Sequence, residues 1–133
     1  MATFPRINTT QQVNYIAKRV TYSDTGIDTG VLEMPASLPP NACILRTFVD
    51  VETAFAATTT NVLTVGTVSG TANDIVTGGD VNETTAVPQS VVGPGMLSAS
   101  AEKKIYIKFT GAGTANTAGV AVIVVEYLSL GQP

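Results

Sequence analysis

Histidine does not occur in this chain of 133 residues. That absence removes the Ser-His-Asp and Cys-His catalytic arrangements, together with any zinc site that needs an imidazole. Tryptophan is missing too, and aromatic residues make up only 6% of the chain, which weighs against the exposed ring platforms that sugar-binding sandwiches use. Cysteine appears once, at Cys43, so no internal disulfide can form and nothing marks an oxidising compartment. Charged residues are scarce at 13%, about half the usual share for a soluble domain. The balance is acidic, with a net charge of -3 and a pI near 4.7. Such a surface does not neutralise many phosphates, so nucleic acid is not an expected partner. Long apolar runs are lacking: the longest, Val120 to Val125, falls far short of the ~18 residues a membrane helix needs. The opening MATFPRINTT has neither the charged start nor the apolar run of a secretory signal. A soluble protein made in a cytoplasm, with no membrane partner, is the expectation.

What is present is apolar and rich in strand formers. Hydrophobic residues account for 44% of the chain and mean hydropathy is +0.28, enough apolar surface to offset the ordering entropy and exclude disorder. There are 20 threonines, which together with the valines favour strands over helices. No window of helical length keeps apolar residues at i, i+3, i+4 and i+7, whereas several short windows alternate. The chain reads as all-β.

The clearest strand is Lys103 to Thr110, with Ile105, Ile107 and Phe109 on one face and Lys104, Tyr106, Lys108 and Thr110 on the other. A longer one runs from Ala42 to Phe55, with Cys43, Leu45, Val49, Val51 and Phe55 on the apolar face and Arg46, Asp50 and Glu52 opposite. Asn14 to Tyr22 is a third, in which Val13 and Tyr15 interrupt the alternation and suggest a bulge near Ala17. Shorter strands are expected at Gly30 to Met34, Asn61 to Val68, Asp74 to Thr77 and Val91 to Leu97, separated by clusters of Gly, Pro, Asn, Asp and Ser. About eight antiparallel strands make a single jelly-roll-like β-sandwich over residues 13–133. Residues 1–12 are polar, contain Pro5 and read as an extended N-terminal arm, with Phe4 and Ile7 beside Arg6 as its contact residues.

The last strand, Gly119 to Leu128, is apolar on both faces apart from Glu126. Ala121, Ile123 and Val125 occupy one side, while Val120, Val122 and Val124 form a row on the other. Fully burying a valine is worth about 1.5 kcal/mol or more, so the second row calls for a cover, either an arm or loop of the same chain or another subunit. The subunit-interface reading therefore rests on Val120, Val122 and Val124.

No catalytic, cofactor or metal site is expected. GAGTANTAG, Gly111 to Gly119, lacks the lysine of a phosphate-binding loop and opens no helix, so it reads as a hairpin loop. Asp74, Asp80, Asn82 and Glu83 could offer oxygens to calcium, but their spacing matches no EF-hand loop. The two DTG copies in SDTGIDTG lie four residues apart, whereas an aspartic-protease dyad needs two facing loops. Cys43, with no histidine to take its proton, reads as a small buried hydrophobe. Tyr106, between two lysines on a polar face, is the aromatic most suited to an outside contact.

Two stretches, VDVETAFAATTTNVLTVGT (Val49 to Thr67) and KKIYIKFTGAGTANTAGVAVIVVEYL (Lys103 to Leu128), resemble small structural proteins of tailed bacteriophages, similar to capsid cement or decoration proteins. The resemblance implies a non-enzymatic jelly roll that binds the major capsid protein on the outside of the head as a homotrimer. A receptor- or glycan-binding head domain of a phage fibre would share the sandwich, and is the alternative.

Overall fold

The computed structural model describes residues 13–96, 101–112 and 117–129. The arm, with Phe4, Arg6 and Ile7, lies outside the described residues. Among the described residues seven strands form two antiparallel sheets: β1 (Val13–Thr21), β2 (Leu32–Glu33), β3 (Ala42–Thr53), β4 (Thr60–Gly66), β5 (Pro88–Met96), β6 (Tyr106–Ala112) and β7 (Val120–Ser129). One sheet has the order β1-β7-β3-β5 and the other β2-β6-β4. Successive strands always change sheet, so no two neighbours in the sequence are hydrogen-bonded partners. This order is compatible with a jelly roll.

The core is the inner face of both sheets. Ile16, Val20, Val49, Val51, Ile123 and Val125 come from the larger sheet, while Leu63, Val65, Ile107 and Phe109 come from the smaller. These are the alternating apolar positions of each strand, which the pleat sends to one side. Phe55 leaves the end of β3 and stacks on Phe109, ring centroids 4.6 Å apart, tying the two sheets together. Gly119 lies directly beneath the Phe55 ring with φ at +146°, a backbone conformation and a space that only glycine suits.

Four sequence expectations need correction. The Ala17 bulge is absent: β1 pairs with β7 without a register break from Val13 to Thr21, and Val13 and Tyr15 are simply exposed. The irregularities sit instead in β3, one between Val51 and Thr53 against β7 alone and one between Ile44 and Arg46 against both neighbours. The extra residue between Ile44 and Arg46 reverses the alternation, so Ala42 and Ile44 point inward before it and Thr47 and Val49 after it. Cys43 is consequently only half-buried and lies on the opposite face from the core. Third, Asp74 to Thr77 is not a strand but contributes a single bridge, Val65 to Val76, because the Asp74 carboxylate turns back to hold Thr67. Finally, the segment Gly111 to Gly119 does not close a hairpin, since β6 and β7 belong to different sheets.

Candidate functional site

The turn carboxylates are committed to the backbone. Asp24 accepts from the Thr21 amide and hydroxyl, Asp74 from those of Thr67 and Asp80 from those of Thr77. Each fixes a turn by occupying donors that would otherwise need water. Glu83 is buried and accepts the Leu63 amide at 2.8 Å. Thus the acidic residues considered for calcium serve separate pieces of backbone. Among the described residues there is no pocket and no group of three or more potential metal ligands. Tyr106 is half-buried, in register with Glu33 on one side and Gly66 on the other.

The distinctive surface is the outer face of the four-stranded sheet. Strand pairing sets its rows: Val13 beside Leu128 and Cys43, Tyr15 beside Glu126 and Arg46, Ala17 beside Val124 and Phe48, Arg19 beside Val122 and Asp50, and Thr21 beside Val120 and Thr53. Val120, Val122 and Val124 are each half-buried rather than bare, because these flanking side chains cover part of them. Their settings differ. Val124 sits between an alanine and a phenylalanine, Val122 between opposite charges, and Val120 between two threonines. The apolar part of the face therefore runs across the sheet at the Val124 and Leu128 end, with Tyr15 59% and Val13 47% exposed.

Ion pairs frame this face. Arg19 Nε meets Glu52 Oε1 at 2.8 Å between exposed side chains, a pair worth under about 1 kcal/mol. Arg46 Nε meets Glu126 Oε1 at 3.1 Å with the glutamate almost covered, and its guanidinium lies 5.5 Å from the centre of the Phe48 ring. Glu126, the one break in the apolar pattern of β7, is thereby buried under Arg46. The sequence already placed Arg46 with Asp50 opposite the apolar face of this strand, but it gave Phe48 no place there.

No family model matches the chain, and no curated protein matches it. Solved structures do. A chain of the cyanophage Pam1 capsid asymmetric unit aligns with a TM-score of 0.62 at 16% identity, covering 96% of this chain and 92% of that one. A chain of the capsid of Ralstonia phage GP4 gives 0.58 at 17% identity over 99% and 92%. A chain from the acid-stable capsid of the Helicobacter pylori bacteriophage KHP30 gives 0.57 at 16% identity over 87% and 86%. At such identities the likeness is one of fold, and it extends over nearly the whole length of both partners.

Proposed function

We propose that this chain is a structural protein of a bacteriophage virion, a decoration or cement protein that binds the major capsid protein outside the head as a homotrimer. The observation that carries the reading is the shared fold with chains of three phage capsids over most of their length. The partly covered apolar sheet face supports it, since a protein that works by holding subunits together needs contact area rather than a reaction centre. In this reading Val120, Val122 and Val124 lie in the threefold contact, and the arm residues Phe4, Arg6 and Ile7 reach the shell. A closed ring also avoids open-ended growth.

Heads assembled without the protein are expected to release DNA at a lower temperature than decorated heads, and adding the purified chain should restore the difference. A side-chain-resolution reconstruction would then show it on the outer surface. Equal release with and without it would sink the cement reading in favour of a fibre or receptor role.

The face itself has a separate test. Val124→Asp should reduce self-association by more than 10-fold in light scattering, because it places a carboxylate in the apolar band between Ala17 and Phe48. Val120→Asp, among threonines, should have a weaker effect. Two equal effects would mean that the contact follows β7 rather than the apolar band across the sheet.

A further inference from the structure

The bulge after Ile44 joins two parts of β3 that are out of phase. Leu45 is the added residue: Ile44 pairs with Tyr127 and Arg46 with Glu126, so β7 sets no residue opposite it. On the other side Ile44 pairs with Gly95 and Arg46 with Val92, so Gly93 and Pro94 face the bulge. Before it, Ala42 and Ile44 are buried while Cys43 and Leu45 are half-buried. Both pairs are apolar. Ile44 and Leu45 are isomers, and Ala42 and Cys43 are both small. A slip of residues 42–45 by one position therefore exchanges one pair for the other in the core at nearly constant volume. Arg46 and the residues after it stay where they are.

The chain ahead of the strand can take up such a slip. Leu38 is fixed by two backbone hydrogen bonds with Lys103, at 2.7 and 3.0 Å. Between Leu38 and Ala42 lie Pro39, Pro40 and Asn41, the last in the left-handed region at φ 61°. When Leu45 enters the ladder opposite Tyr127, each residue before it moves back by one place. The turn between Leu38 and the strand then holds one residue more, and neither Leu38 nor Arg46 has to move. The contacts that Pro39, Asn41 and Ala42 make in the first register are given up in exchange for an unbroken ladder against β7.

We propose that the first part of β3 has two registers: the bulged one, and a second in which Leu45 pairs with Tyr127, Ile44 with Leu128 and Cys43 with Ser129. The second register turns Cys43 and Leu45 inward and Ala42 and Ile44 outward. It changes the outer face of the four-stranded sheet at the Leu128 end. The place beside Leu128 and Val13, held by Cys43 in the bulged register, passes to Ile44, a larger apolar side chain. A partner that covers this end of the face gains more apolar contact from the second register and so shifts the strand toward it. Covering the outer face is thereby coupled to an exchange of side chains in the core, through an element with two discrete arrangements. The two registers follow from the strand and its neighbours alone, whatever the partner is.

Cross-strand disulfides tell the registers apart, because residues opposite each other on one face can be bridged and residues on opposite faces cannot. In the full chain, Leu128→Cys should bond with the native Cys43 through the bulged register. Cys43→Ala combined with Ile44→Cys and Leu128→Cys should bond only through the second, since position 44 otherwise points into the core. Adding Leu45→Asn places an amide side chain in the core in the second register alone. It should cut the yield of that second bond by about 10-fold or more and spare the first. Mass measurement after mild oxidation of the folded proteins reads the yields. No bond in the Ile44→Cys protein, under oxidation that completes the first one, would overturn the proposal. So would a bond that survives Leu45→Asn, which assigns it to the unfolded chain. Alkylation of Cys43 gives a measurement without a second cysteine. Ile44→Asn drives the strand to the register that hides the thiol, so alkylation should slow by about 10-fold or more while unfolding stays cooperative. Alkylation at the unmutated rate or faster would mean that the strand keeps its bulge.

Discussion

Gly119→Ala is expected to lower the stability of the fold by about 2–6 kcal/mol. Two costs combine. The backbone at Gly119 has φ of +146°, which a residue with a Cβ adopts only under strain of about 1–3 kcal/mol. The new Cβ would also press into the Phe55 ring, whose Cγ and Cε2 lie 2.6 and 2.7 Å from its position, and overpacking a core typically costs about 1–3 kcal/mol. Phe55 cannot yield freely, because it stacks on Phe109 at 4.6 Å and is itself buried. The control is Gly79→Ala, where φ is +95° but nothing lies within 4 Å of the added atom, so only the backbone cost applies. Denaturant titrations of the two variants measure the difference. A Phe55→Leu change should recover part of the Gly119→Ala loss if the ring is the obstacle, and equal losses in the two glycine variants would show that the contact is not tight.

The second large effect is expected at Glu83. Its carboxylate accepts the Leu63 amide at 2.8 Å, while its own carbonyl accepts the Phe55 amide at 2.9 Å. One residue thereby fastens the long β4–β5 connection to the end of β3 and the edge of β4. Glu83→Ala removes the acceptor and leaves a buried amide without a partner, a loss of about 1–3 kcal/mol, to which the emptied space adds. Glu83→Gln keeps an acceptor oxygen at the same place and should cost clearly less. Thermal unfolding distinguishes them, and a glutamine variant as unstable as the alanine one would mean that the charge rather than the hydrogen bond matters. The expected secondary result is faster exchange of the Leu63 amide in the alanine variant alone.

The alternation in Lys103 to Thr110 was legible in its burial, since Ile105, Ile107 and Phe109 are all buried, although the strand itself begins only at Tyr106. The same holds for Ala121, Ile123 and Val125 in β7. β3 was half legible. From Thr47 onward the period of two predicts the core correctly, but the register break after Ile44 depends on how two neighbouring strands pair with it, and no local pattern encodes that. Cys43 was misplaced for this reason alone. The carboxylates in turns were recognisable as turn residues, yet Glu83 looked like its neighbours and differs only because the fold carries it into the interior beside Leu63.

By itself, then, the sequence determined the class of this protein: threonine and valine at alternating positions, with no helical period, leave strands as the way to bury a chain that is 44% hydrophobic. It also excluded histidine-dependent chemistry and marked β7 as a strand with two apolar faces. Only the tertiary structure decided which sheet each strand joins, since hydrogen bonding between strands far apart in the chain leaves no trace in local periodicity. That pairing places Val124 between Ala17 and Phe48 but Val122 between Arg19 and Asp50, so the same residue type has different surroundings along one strand. It also lets Glu83 and Val76 take the outward amides of Leu63 and Val65 on β4, because the backbone groups of a strand point where its neighbour and its turns dictate.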